Sequence, residues 1–197
     1  MNAERFRSIV GRYRDLKVAI VGDFCLDRYL EIDPTRAEMS IETGLPVHNV
    51  VNVRSQPGAA GTILNNLVAL GVGEIFAVGI AGDDGEGFEL ERALRSMPGV
   101  NVDHFLRTSL RRTFVYCKPL IVESGKSPRE LNRLDSKNWT PTPKGLRDAV
   151  AERIRILSPR IDALILMDQV DLPESGTVTP EVAHAAHGAA HVRIRVW

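Results

Sequence analysis

Residues 54–71 read RSQPGAAGTILNNLVALG, and the reading of the whole fold turns on this stretch. Pro57, Gly58 and Gly61 stand among alanines and run straight into an apolar helical pattern. A glycine-rich turn that opens a helix brings free backbone N–H groups and the positive end of the helix dipole to one point, where polar or anionic ligands bind. Gly71 is a natural stop just past the helix end, which predicts a helix over 62–70. A tight turn packing a helix on a sheet would also explain the glycines, so the neighbouring segments have to decide.

Upstream lies KVAIVGD (17–23), a short apolar run ending in glycine, as a buried strand does. Downstream, EIFAVGIAG (74–82) reads as a second buried strand and VNVDHFLRT (100–108) as a third. RIDALILMD (160–168) reads as a fourth. Helical patterns separate them. Phe88, Leu90, Leu94 and Met97 make the expected core face of one helix. Leu146, Val150, Ile154 and Leu157 make that of the next, and a last helix is expected from about residue 179 to 190. Phe6, Ile9, Val10 and Tyr13 fall at i, i+3, i+4 and i+7, so the chain opens with an amphipathic helix. Strands alternating with helices predict an α/β domain with a mostly parallel sheet.

Two regions do not fit that sheet. The segment 24–55 alternates loosely around Val47, Val50 and Val53 without a helical period, and RRTFVYCKPLIV (111–122) is a further polar strand. Both read as antiparallel flap strands, lying at about 28–54 and 111–122, that cover the sheet as a small β-lid. A proline-rich polar stretch, 124–145, reads as a long loop. The closing run HVRIRVW would stop where a βα loop should begin, and in open α/β sheets those loops carry the site. The expectation is a chain cut short, with a final edge strand as the alternative.

The 197 residues are 44% hydrophobic and 25% charged, with 25 basic and 25 acidic side chains, the profile of an ordinary soluble globular domain. A balanced charge gives no field toward nucleic acid or a membrane surface, and no apolar run approaches a membrane span. Two cysteines, Cys25 and Cys117, each with apolar neighbours, read as reduced thiols of a cytoplasmic protein.

SGKS (124–127) resembles the end of a P-loop, but Leu120 stands where the first glycine is required and Pro128 follows. The first strand is followed by acids rather than by G-x-G-x-x-G, and acids repel a pyrophosphate. Carboxylates accept hydrogen bonds from hydroxyls, so Asp23 and Asp27 could grip a polyol, with turn capping the alternative for Asp23. Asp84 in GDD reads as the N-cap of the helix that follows. Asn65 and Asn66 lie in the early turns of the helix at 62–70, within reach of the same ligand. His184, His187 and His191 share a helical spacing, yet a solvated face is preferred to a metal site, and no metal ligands are assigned.

Taken in order, KVAIVGDFCLD, PGAAGTILNNLVALG, GIAGDDGEGF, RRTFVYCKP and RELNRLD resemble the ribokinase/PfkB family of carbohydrate kinases. The nearest resemblance is to its heptose-phosphate kinase branch, and it covers roughly 17–182. It implies a ribokinase-like three-layer domain with a β-lid that moves the γ-phosphate of ATP, with Mg, to a sugar hydroxyl. By motif matching, Asp27, Gly58, Ala59, Thr62, Asn66, Arg133 and Asp135 are the substrate-binding positions. Asp168 is assigned to the cofactor side. The family's second glycine falls at Ala59 and its asparagine at Thr62. The G-A-G-D segment that supplies the catalytic base is not in this sequence, nor is the N-x-x-E motif tied to magnesium, so no catalytic residue is assigned. The resemblance therefore implies one incomplete kinase domain over 1–197, holding the sugar side without the ATP-binding part and inactive alone. A non-catalytic sugar-binding or regulatory protein built on the same half is the alternative. Its partners are a small sugar or sugar phosphate and, through the lid, a second copy of the chain.

Overall fold

The computed structural model describes residues 2–189 and the backbone of 193–196. In chain order the elements begin α1 (Ala3–Val10), β1 (Lys17–Gly22), β2 (Phe24–Ile32), β3 (Glu38–Met39), β4 (Pro46–Val47), β5 (Val50–Ala59) and α2 (Ala60–Ala69). Next come β6 (Glu74–Val78), β7 (Ile80–Gly82), α3 (Gly85–Arg95), β8 (Val100–Asn101), β9 (Leu106–Thr108) and β10 (Phe114–Ile121). The chain continues through β11 (Arg129–Glu130), β12 (Leu134–Ser136), α4 (Lys144–Leu157), β13 (Ala163–Met167), α5 (Pro180–Ala189) and β14 (Arg193–Val196).

The body is a five-stranded sheet in the order β14-β13-β1-β6-β8, with every pairing parallel. β1 sits at its centre because it is apolar on both faces. Val18 and Ile20 pack with Leu64 of α2 and with Leu90 and Leu94 of α3. Ala19 and Val21 pack with Val150, Ile154 and Leu157 of α4 and with Val182 and Ala186 of α5. The result is the expected three layers, helices on both faces of a parallel sheet. Among the described residues no helix is long and apolar enough to cross a membrane.

The second sheet is the lid, in the order β11-β10-β2-β5 with β12 also on β10. β5 is antiparallel to β2, as expected, but β10 runs parallel to it. β2 and β10 both leave the body at the same end, so they must point the same way, and only strands returning to the body can run against them. The lid is therefore a mixed sheet rather than an antiparallel one. The stretch 124–145, read as a loop, supplies two of these returning strands, β11 and β12.

Other expectations need correction. The strand expected over 74–82 breaks into β6 and β7, which lie in different sheets. The break is at Gly79, where a Cβ would stand 2.5 Å from Phe24 Cδ2 and 2.9 Å from the Gly22 carbonyl oxygen. The run 100–108 likewise divides into β8 on the main sheet and β9, which pairs with β7. Phe88 is exposed, not core. The buried stripe of α3 runs through Gly87, Leu90 and Leu94, and Phe88 stands about a third of a turn round from it. α1 forms as its spacing predicts, yet it buries none of its residues, and Phe6 and Ile9 stay exposed.

Candidate functional site

Strand register places the site. Asp27 on β2 lies opposite Gln56 on β5 and Tyr116 on β10, and Tyr116 lies opposite Asp135 on β12. One step further out, Tyr29 lies opposite Arg54 and Lys118. Side chains alternate across a strand, so these rows share one face of the lid. The opposite face meets the body: Leu26 is fully buried there, and Arg28 reaches Glu86 and Glu89 of α3 at 3.7 and 3.9 Å.

On the polar face the Lys118 ammonium donates to Asp27 Oδ1 at 3.1 Å and to the Tyr29 hydroxyl at 3.4 Å. It also lies 4.9 Å from the centre of the Tyr29 ring, which the Arg54 guanidinium approaches equally closely. Burial works to lower the Lys118 pKa, but the hydrogen bond and charge of Asp27 outweigh it and hold the ammonium above its ordinary value. Asp27 is pressed against the backbone of Gly58: a Cβ there would fall 2.6 Å from Asp27 Oδ2 and 2.7 Å from Cys25 Sγ. Cys25 beneath is inert, its thiol pushed up to about 12 by burial and then by the Asp27 charge. At the far end of the row Arg133 donates to Asp135 at 2.6 Å and stacks its guanidinium 5.1 Å over the Tyr116 ring.

The glycine-rich turn joins this face to α2. Ala59 takes φ 53° and ψ −116° at the N-cap, and the Ala60 N–H donates to the Asp23 carbonyl at 2.9 Å. Thr62 is exposed in the first turn of α2, and Asn66 is exposed one turn later. Thus Asp27, Gly58 and Ala59 are contiguous, while Arg133 and Asp135 stand across Tyr116 from them.

Asp23 behaves differently from Asp27, and the polyol-gripping reading of it is overturned. Its side chain is buried, with one oxygen accepting from the Gln169 N–H at 2.9 Å and the other from the Thr177 N–H at 2.6 Å. Burial raises its pKa against those two bonds, and the nearby Asp168 adds to the rise. Asp23 therefore staples the loop after β13 to the end of β1. Arg111 reinforces the staple by donating to the carbonyls of Thr140, Pro141 and Ser175, and Thr142 Oγ1 donates to the Gly176 carbonyl at 2.6 Å. Between this loop and the lid lies a cleft of about 260 Å³ lined by Phe114, Tyr116, Trp139, Gln169, Leu172 and Ser175.

Asp84 caps α3 through the Gly87 N–H at 2.8 Å and also accepts from the Thr113 N–H and hydroxyl. Burial works to raise its pKa, but these hydrogen bonds together hold it below its usual value. Asp168, assigned to the cofactor side, stands exposed beyond the end of β13, its carboxyl pushed up by partial burial. Among the described residues no group of three or more His, Cys, Asp or Glu side chains is placed to hold a metal ion, and His191 lies outside them. A lone carboxylate beside buried Asp23 does not make a site for a magnesium–nucleotide complex.

Sequence reasoning missed Lys118, Tyr116, Tyr29 and Gln56. The signal was present in TFVYCKP, where Phe114, Tyr116 and Lys118 alternate as one strand face.

No protein-family model matches the chain. "Bifunctional protein HldE" of Pelobacter propionicus is 28% identical to it over 190 residues, 96% of this chain and 36% of that protein. Ribokinase of Arabidopsis thaliana, solved with ribose and ATP, superposes with a TM-score of 0.51 at 16% identity, over 88% of this chain and 51% of that one. Phosphofructokinase-2 of Escherichia coli, solved with fructose-6-phosphate, does so with a TM-score of 0.54 at 14% identity over the same shares. The fold, body and lid together, is that of the ribokinase/PfkB carbohydrate kinases. Within that class the sequence resembles the HldE proteins over most of its length. The chain spans about a third of the length of these curated relatives and about half that of the solved kinases.

Proposed function

We propose that this chain is the acceptor-binding side of an ATP-dependent sugar or sugar-phosphate kinase of the HldE kind. The observation that carries the reading is the polar lid row ending at Asp27, which packs on Gly58 where the glycine-rich turn enters α2. A polyol lying along that row meets a carboxylate that accepts from its hydroxyls, and it meets backbone N–H groups at the helix start that donate to its oxygens. Thr62 and Asn66 extend the contacts along α2, and Tyr116, Arg133 and Asp135 close the other end. Phosphoryl transfer depends on holding the attacking hydroxyl in place, and these groups do that for the acceptor alone. The nucleotide and its metal would supply the phosphoryl group and its charge neutralisation from sequence carrying a G-A-G-D segment, which these residues do not contain. In this reading the protein works in the cytoplasm. The lid forms a homodimer, for which the exposed Val50, Val51 and Val53 along its outermost long strand, β5, are the natural surface.

The test is a thermal-shift and calorimetry screen of sugars and sugar phosphates on the purified chain, with and without ATP. The expected result is saturable sugar binding with no ADP formed. A chain that binds no sugar overturns the acceptor assignment, and ATP-dependent phosphorylation by these 197 residues overturns the assignment of catalysis to other sequence.

A further inference from the structure

Asp27 does not face a ligand alone. Its Oδ1 is taken by the Lys118 ammonium at 3.1 Å, and both side chains are largely covered, at 14% and 18% exposure. Such a pair is an expensive way to hold a lid together, because two charges must be desolvated where an apolar pair would pack as well. The pair is also left unfinished. An ammonium has three N–H donors, and among the described residues Lys118 uses one on Asp27 and one on Tyr29. Asp27 Oδ2 lies against Gly58, no hydrogen bond from a described residue reaches it, and the side chain keeps 14% of its surface exposed. Register puts the pair on the lid's polar face, between Gln56 and Arg54 on one side and Tyr116 on the other.

We propose that Lys118 is a second acceptor-binding residue, which works with Asp27 as a clamp for two adjacent hydroxyls of the sugar acceptor. This rests on the sugar-acceptor reading and deepens it. One hydroxyl donates to Asp27 Oδ2, and its neighbour accepts the remaining Lys118 N–H. The ammonium also fixes the carboxylate rotamer, so that the free oxygen points the same way before and after binding. Because the pair is neutral overall, it selects a diol rather than an anionic substituent at this subsite. The Tyr29 ring, stacked by Arg54, which Glu31 in turn holds at 2.6 Å, keeps Lys118 from swinging outward.

The experiment is calorimetry on the full 197-residue chain with D-ribose, D-fructose, D-mannose and D-mannoheptulose, then with monodeoxy analogues of whichever binds best. For the wild type, removing one hydroxyl should weaken binding tenfold or more. Lys118→Met should bind the parent sugar at the level of that deoxy analogue and should no longer distinguish the two, a readout that a purely structural lysine would not move. Should Lys118→Met fail to fold, Asp27→Asn and the uncharged double variant Asp27→Asn/Lys118→Met carry the same test. The double variant should bind at least fivefold more weakly than Asp27→Asn, which still keeps the Lys118 donor. The proposal is overturned if Lys118→Met keeps the wild-type discrimination, or if the double variant binds as tightly as Asp27→Asn. Failure of all four sugars, and of ribose 5-phosphate and fructose 6-phosphate titrated beside them, to bind the wild type overturns the acceptor reading itself, and this proposal with it.

Discussion

Replacing Ala59 by glycine should make this protein more stable, although glycine usually does the reverse. Ala59 holds φ 53° and ψ −116°, one of only two non-glycine residues at positive φ among those described. An L-residue kept in so sparsely populated a region costs about 1–3 kcal/mol. The surroundings enforce it: Ala59 pairs with Phe24 at the end of β5, and the very next N–H is committed to the Asp23 carbonyl. Glycine removes the steric cost but gives back about 0.4–1 kcal/mol through a freer unfolded chain. The net expectation is about 0.5–2 kcal/mol in favour of Ala59→Gly. At about 2–4 °C per kcal/mol for a domain of this size, Tm should rise by about 1–8 °C. Differential scanning calorimetry of the two chains at one pH and concentration measures it. Gly58→Ala provides the opposite sign, because its new Cβ would stand within 3 Å of both Asp27 and Cys25. An unchanged or lowered Tm for Ala59→Gly would refute the claim that the turn is strained at this residue.

Thr62→Asn should tighten sugar binding by about twofold to tenfold, the worth of one more net hydrogen bond, with Tm nearly unchanged because the side chain is exposed; titration calorimetry decides. Asp84→Asn should cost about 1–2 kcal/mol at neutral pH by weakening the α3 cap and the bonds from Thr113. Since the folded-state pKa of Asp84 lies below 3.8, its contribution is present above that pH and fades as pH falls through the lower folded value, so the gap between variant and wild type should close on acidification. Asp23→Ala should leave the N–H groups of Gln169 and Thr177 without their acceptor and cost at least about 2 kcal/mol, with faster amide exchange confined first to the loop after β13.

The three layers were legible because β1 is apolar on both faces and its flanking strands resemble it, a pattern that only a sandwiched parallel strand satisfies. The lid was legible as polar alternation that the body could not absorb. Its mixed pairing was not, because strand direction follows from where the chain leaves the body rather than from any local pattern. Phe88 misled for a related reason: hydrophobicity marked it as core, while the true stripe passed through Gly87, whose burial no propensity scale reports. Lys118 escaped notice because a lysine in a strand reads as solvated until register sets it beside Asp27.

Asp23 and Asp27 stand four residues apart, one between β1 and β2 and the other within β2, and the fold gives them opposite tasks. Asp23 follows the last residue of β1, where the loop after β13 crosses over it, so its oxygens meet backbone N–H groups and are consumed by the framework. Asp27 lies three residues into β2, beyond the body, where alternation turns it to the lid's polar face. A shift of one residue in that register would bury Asp27 in place of Leu26 and turn Arg28 away from the acids of α3. The contacts of Arg28 with Glu86 and Glu89 join lid to body in the register that turns Asp27 to the polar face. On the acceptor reading, Arg28→Ala should lower Tm in calorimetry and weaken sugar binding in titration, although Arg28 lies on the face opposite Asp27.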